Sequence, residues 1–384
     1  MAHIFTVSAE PSGDALNTDL VRHLRALDAD VELSAIGGPS LSEVGLHSLI
    51  DTSPLAVLGF TEGLKALPQV RALAMQTVQH IVRAEPDALV LIDSWGFSIR
   101  VAKLLQLSPW NGTVIKYVAP QVWAMRRGRA KMLARHVDHL LTLYPFDAPF
   151  FVAEGLPTTH VGNPVLDTDY ASGSGSAFRA RHSIHPLDPV LLVAFGSRRS
   201  EIERLADDFV ATVELVKAKR PSISVVATTV PATRAQLQAK LHTLGPTAQR
   251  ILLVNESEKL DAFAAADIAL AKSGTVTTQL ADAGVPTLVA YRVSGLTWWA
   301  ARKLFKADHV SIVNVAAATE LMPEFLQDAV VPTDMAAQLD TWLSHPVEAK
   351  RLGEALRAVT NGMRGRGGAG RRAAEAVLSV LSAR

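Results

Sequence analysis

The feature that most constrains this chain is an alternation. Short apolar runs rich in β-branched residues are each followed by a longer segment with helical spacing. The runs are residues 4–7, 88–92, 114–118, 140–143, 190–194, 224–227, 268–271 and 287–290. A strand that is apolar along its whole length needs helices on both faces of its sheet, the arrangement of parallel βα units. Between the first two runs, Leu16, Leu20, Val21, Leu24 and Leu27 recur on one helical face, as a helix packed on such a sheet requires. At 384 residues the chain has room for two such layers, so the expected fold class is α/β with two Rossmann-like parallel-sheet domains. The Gly- and Ser-rich stretch 169–176 reads as a flexible connector between them. A second break at 361–370 precedes an alanine-rich helical segment, 371–381. The expected division is therefore 1–170, 171–364 and a C-terminal helix in 365–384 that packs back on one domain.

Charge excludes several function classes. Lys and Arg total 38 against 37 for Asp and Glu, so a formal charge of +1 gives no field for gathering nucleic acid, and no nucleic-acid partner is expected. Zero Cys removes disulfides, thiolate metal sites and a Cys nucleophile, and suits a reducing cytoplasm. The N-terminal segment reads as a strand rather than a signal peptide, and no apolar run approaches the roughly 20 residues that span a bilayer. A mean hydropathy of +0.19 keeps a peripheral membrane contact open.

Parallel α/β sheets bind ligands at the carboxyl ends of their strands, so the residues after each run carry the candidates. After the first run comes Ser8-Ala-Glu10-Pro-Ser12-Gly13-Asp14, where Gly13 permits a tight turn, Asp14 favours a helix start and Glu10 can hold a substrate hydroxyl; turn and cap chemistry is the plainer reading. After the second stands Asp93, equally a general base and a cap for the helix expected over 99–105. Gly196-Ser197-Arg198 offers backbone amides, a helix start and a guanidinium to an anion, with an Arg198 pair to Glu201 or Glu203 as the alternative. Ser273-Gly274-Thr275 repeats the strand, turn and helix pattern, with Gln279 about one turn on. Two anion-ready turns in one half point to a nucleotide diphosphate, although neither a dinucleotide fingerprint nor a Walker loop is present. No metal-ligand spacing and no cofactor motif stands out. The basic cluster Arg126, Arg127, Arg129 and Lys131 beside Trp123, and the aromatic pair Trp298 and Trp299, suit an anionic membrane surface or ordinary solvated and packed helices. Leu58 and Phe60 belong to an apolar stretch that reads as an acyl-chain groove or, by default, as core.

Taken in order, these motifs resemble lipid-A-disaccharide synthase, an inverting GT-B glycosyltransferase family. The resemblance covers nearly the whole chain. It runs through Glu10-x-Ser12-Gly13-Asp14, Ile36-Gly-Gly-Pro39, Leu55-Ala-Val-Leu-Gly59, Ile92-Asp93, Tyr117-Val-Ala-Pro120-Gln-Val-Trp123, Gly196-Ser197-Arg198, Ser273-Gly274-Thr275, Tyr291-Arg292, Val310-Ser311 and Asn314. It implies two domains facing a cleft. It also implies transfer of 2,3-diacylglucosamine from a UDP-diacylglucosamine donor to a diacylglucosamine 1-phosphate acceptor, giving a β-1,6 disaccharide phosphate and UDP without a metal or cofactor. Under the resemblance Asp93 takes the proton of the acceptor 6-hydroxyl, Arg198 offsets charge on the leaving diphosphate, and Glu10 joins them as a catalytic residue. Gly196, Ser197, Ser273, Gly274, Thr275, Gln279, Ser311 and Asn314 hold the UDP-sugar. Ser12, Gly13, Asp14, Leu58, Phe60 and Trp123 serve the acceptor and its lipid. The implied setting is cytoplasmic and peripheral to an anionic inner membrane, with a homodimer allowed.

The chain departs from the family's usual pattern at Gly96, where a second acidic residue is common, at Asn163 in place of His and at Gln279 in place of Glu. Two other readings stay open on those departures. One is a non-catalytic protein that keeps a UDP-sugar or lipid pocket; the other is a GT-B enzyme with a different acceptor.

Overall fold

The apolar runs form the inner strands of two parallel sheets in a computed structural model that describes residues 2–53, 67–293, 295, 298 and 307–383. The first sheet comprises β1 (His3–Val7), β2 (Glu32–Ile36), β3 (Ala88–Ile92), β4 (Thr113–Tyr117), β5 (His139–Thr142) and β6 (Thr158–His160), in the order β2-β1-β3-β4-β5-β6. The second comprises β7 (Val190–Ala194), β8 (Ser224–Thr228), β9 (Leu252–Val254), β10 (Ile268–Lys272), β11 (Thr287–Tyr291) and β12 (Glu324–Leu326), in the order β12-β11-β10-β7-β8-β9. Each sheet reverses its order beside its first strand, so strand ends there open toward ligand-sized crevices.

The eight sequence-read runs correspond to β1, β3, β4, β5, β7, β8, β10 and β11. The remaining four, β2, β6, β9 and β12, are the outer strands of the two sheets. An edge strand has a neighbour on one side only, so it is partly exposed and lacks the continuous apolar signal, and three of these four are only three residues long.

The chain divides into two units, Met1–Asp167 with Met363–Arg384, and Thr168–Gly362. In the first unit the helix Pro11–Leu27 buries Leu20, Val21 and Leu24 under the sheet, each such side chain contributing about 1.5–3 kcal/mol. The final helix, Ala369–Ser382, packs on that helix through Ala373, Ala374 and Val377. Gly370 allows the approach, because a Cβ there would run into the Asp19 carboxylate.

The stretch 169–176 departs from its expected role as a flexible connector. Gly173 and Gly175 lie against the backbone of the helix Lys259–Ala265, where a Cβ would strike the carbonyls of Leu260 and Ala264. The Ser174 amide donates to Asp261 at 2.7 Å. These glycines serve close packing, which composition alone does not distinguish from flexibility. Among the described residues no helix is long and apolar enough to cross a membrane.

Candidate functional site

In the first unit the candidates gather at the carboxyl ends of β1 and β3. The helix Pro11–Leu27 starts directly after β1, and its buried Gly13 lets it press on the end of β3: a Cβ there would stand 3.2 Å from Asp93 Cβ. That closeness brings Ser12 within reach, and its hydroxyl donates to Asp93 Oδ2 at 2.7 Å. Asp93 and Ser94 both adopt left-handed backbone, with φ of 51° and 38°. Ser94 is the N-cap of the helix Trp95–Leu105, without a side-chain cap bond. The Asp93 carboxylate is therefore engaged by Ser12 rather than by the helix end. Glu10, exposed, precedes the first helix without capping it.

Asp14 has a different task. Its buried carboxylate accepts from the Gly38 amide at 2.8 Å, the Ser40 amide at 3.1 Å and the Ser40 hydroxyl. It fixes the loop after β2. Glu10 and Asp14 line a concavity bounded by residues 37–53. Trp123 is buried with its ring edge-on to Phe146 at 5.7 Å, and its Nε1 has no hydrogen-bond partner among the described residues. Gly96 lies in the first turn of its helix, where Arg100 donates to its carbonyl. Leu58, Phe60 and Trp299 lie outside the described residues.

Two buried ionisable groups in this unit escaped the sequence reading. Lys116 in β4 is 1% exposed, and burial pushes its pKa down to about 7 against the pull of Asp93 and Glu10. Asp147 is 3% exposed, and burial pushes its carboxyl up to about 7. The available signal for Lys116 was a lysine in the middle of an otherwise apolar strand.

In the second unit a cavity of about 400 Å³ opens at the carboxyl ends of β7, β8 and β10. Gly196, Ser197, Gly274, Thr275 and Gln279 line it, together with Thr228, Thr229, Glu256, Lys259 and Lys272. Its size suits a nucleotide-sized ligand. Gly196 has φ 113°, a conformation open to glycine, and a Cβ there would come 2.6 Å from Glu201 Oε2. The turn's amides are not vacant: Ser197 and Arg198 donate to Glu201 Oε2 at 3.0 and 3.2 Å. Lys272 pairs with the other oxygen at 2.7 Å. Burial raises the Glu201 pKa, but Lys272 and the two amides outweigh it and hold the carboxyl below the usual range. The protein's own carboxylate thus occupies amides of the kind that bind phosphate. Arg198 stays 80% exposed, its guanidinium 3.7 Å from Glu201.

The sequence profile of the Lipid-A-disaccharide synthetase family matches residues 4–365. The chain belongs to the lipid-A-disaccharide synthase family. Its activity is glycosyl transfer in the synthesis of the lipid A disaccharide. The lipid-A-disaccharide synthase of Rhodospirillum centenum is 40% identical over 99% of this chain and 95% of that protein. The enzyme of that name from Paramagnetospirillum magneticum is 38% identical over 98% of this chain and 97% of its own length. Among solved structures, a UDP complex of S. aureus MnaA aligns with a TM-score of 0.61 at 12% identity, covering 100% of this chain and 96% of that one. Acinetobacter baumannii MurG aligns at 0.59, also at 12% identity, over 100% of both chains. At that identity the likeness establishes the fold, which is GT-B.

For a lipid-A-disaccharide synthase, the remaining expected residues are distributed unevenly. Gln279 reaches the cavity wall while its Nε2 donates to Tyr170 Oη at 2.9 Å. Ser273 is buried, its amide donating to Ala290 at 3.0 Å. Ser311 and Asn314 are not brought to the cavity. The Ser311 amide donates to Glu324 at 2.7 Å, and Asn314 bonds Met322 and Glu324, so both tie the helix Ile312–Ala317 to β12. Asn163 serves the first unit, its Nδ2 donating to Tyr144 Oη at 3.3 Å. No group of three His, Cys, Asp or Glu able to hold a metal ion occurs among the described residues.

Proposed function

We propose that the donor is UDP-2,3-diacylglucosamine and the acceptor 2,3-diacylglucosamine 1-phosphate, joined by a β-1,6 bond with release of UDP. The observation that carries the reading is the second unit's cavity, where a Gly-Ser turn and a helix start meet in a space of nucleotide size, with the exposed Arg198 next in sequence to the lining residue Ser197. UDP enters that cavity, its diphosphate drawn to the amides of Ser197 and Arg198 as Glu201 yields them and turns to Lys272. Arg198 neutralises the charge that grows on the departing diphosphate. Asp93 takes the proton from the acceptor 6-hydroxyl. The freed oxygen bonds to C1 of the donor sugar as the C1–O bond to the diphosphate breaks, with inversion. Ser12 orients the Asp93 carboxylate.

The same reading extends to setting. Arg126 and Arg127 are exposed on a segment next to the helix Gly128–Ala134, and they attract an anionic membrane surface that presents the acylated substrates. The enzyme works there as a peripheral protein on the cytoplasmic face, alone or as a homodimer.

The test is UDP release by the purified protein given the diacylated donor with and without acceptor. Acceptor-dependent release is expected, and it collapses in Asp93→Ala. Release on unacylated UDP-sugars instead would assign transfer to a different acceptor, and conversion of an unacylated UDP-sugar to its epimer without UDP release would assign an epimerase. Tight UDP binding with no turnover would make the chain a binding protein.

A further inference from the structure

Strand β4 carries a charge where its neighbours carry none. Strand alternation puts Val114 and Lys116 on one face of the sheet, with Leu89, Leu91 and Phe97 in the core beneath, and Ile115 and Tyr117 on the other. An ammonium in such a place is costly unless its protons are paired. Lys116 Nζ donates to the carbonyls of Leu91 at 3.2 Å, Asp93 at 2.5 Å and Tyr117 at 3.0 Å. An ammonium has three donors and no acceptor, so this set uses its full capacity.

The backbone around those carbonyls is unusual. Asp93, Ser94 and Val118 all have positive φ, and for the β-branched Val118 a φ of 76° is a clear outlier. Such conformations persist where their surroundings over-determine them, and they cluster at functional sites. Lys116 grips the carbonyl of Asp93 itself and that of Tyr117, directly before Val118. Ser98 Oγ adds a second donor to the Asp93 carbonyl at 2.8 Å, and the Asp93 amide donates to Tyr117 at 2.9 Å.

We propose that Lys116 is a positioning residue for Asp93, clasping the ends of β3 and β4 so that the left-handed Asp93-Ser94 turn presents its carboxylate beside a buried positive charge. The inference rests on the reading of Asp93 as the base. Burial depresses the Lys116 pKa while Asp93 and Glu10 raise it, which agrees with both carboxylates lying close by. Other charged groups near the turn, among the described residues, are Glu10 after β1, Arg100, whose guanidinium holds the Gly96 carbonyl, and Arg129, over the Trp95 ring at 5.2 Å.

The experiment measures acceptor-dependent UDP release by the full-length protein, with kcat and acceptor KM determined separately and UDP affinity by calorimetry. Lys116→Met is expected to lower kcat by about tenfold or more while leaving acceptor KM and UDP affinity in place. Lys116→Gln keeps amide donors for the carbonyls and restores part of kcat, again with KM and UDP affinity unchanged. If Lys116→Met does not fold, Lys116→Gln must show the isolated fall in kcat by itself. Wild-type kcat in the folded variants, or a fall in kcat matched by loss of acceptor or UDP affinity, overturns the proposal and reduces Lys116 to a structural part. Full activity of Asp93→Asn is a separate result, which removes the reading of Asp93 whatever Lys116 does.

Discussion

Two carboxylates with lysine neighbours stand at sheet ends in this molecule, and they are treated in opposite ways. In the second unit Glu201 pairs directly with Lys272 at 2.7 Å and accepts two backbone amides. In the first, Lys116 turns its protons to backbone carbonyls and Asp93 forms no ion pair among the described residues, holding only the Ser12 hydroxyl. A directly paired and capped carboxylate is a structural anion, able to stand in for a phosphate. One kept apart from its cation by a peptide carbonyl retains oxygens for proton transfer. In the proposed mechanism a carboxylate and a lysine thus give a placeholder in one unit and a base in the other.

The largest expected effect tests the second half of that contrast. Asp93→Asn keeps the left-handed turn, since Asn tolerates it, and is expected to lower the UDP-release rate by about 10³-fold with unchanged thermal stability. Arg198→Ala comes next, at about 10²-fold in kcat; because the side chain is 80% exposed, its melting temperature should match wild type. Equal activity in both variants and wild type would erase the distinction between the units.

The third prediction uses pH. Folding lowers the Lys116 pKa from 10.5 to about 7, so the unfolded chain holds that proton more tightly and wild-type stability rises from pH 7 toward 10.5. Folding raises the Asp147 pKa from 3.8 to about 7, so its contribution is full below pH 3.8 and is lost as pH climbs through 7. Urea unfolding across pH should show wild type gaining on Lys116→Met above pH 7. It should lose to Asp147→Asn between about pH 4 and 7, each by on the order of 2 kcal/mol. Parallel curves would show that neither group is buried as described.

Gly196→Ala should cost about 1–2 kcal/mol in a denaturant titration, because φ is 113° and the new Cβ meets Glu201. The smallest effect sharpens the placeholder idea. Glu201→Gln removes the competing charge from the Ser197 and Arg198 amides, and calorimetry should show UDP binding a few-fold tighter at a cost of about 1 kcal/mol in stability. Weaker UDP binding would mean that Glu201 supports the ligand rather than yielding to it.

Much of this was legible in the chain. The inner strands announced themselves because burial on both faces demands unbroken apolar runs, and the Gly196-Ser197 and Ser273-Gly274-Thr275 turns stood out because phosphate-type sites need small residues before a helix. Edge strands such as β6 and β12 did not, since half their surface meets solvent. The roles of Asp14, Ser311 and Asn314 as ties between backbone segments were hidden too, because a polar side chain looks the same in sequence whether it faces a ligand or a loop. Lys116 was the opposite case, a visible anomaly whose meaning depends on three carbonyls converging from two strands.

The return of the last helix to the first unit has a consequence for biogenesis. The surface of the helix Pro11–Leu27 that receives Ala373 and Val377 has no cover while the ribosome is still making the intervening residues. The second unit can therefore finish folding before the first, reversing the usual order of synthesis, and the nascent N-terminal half must wait with an apolar seam open to chaperones.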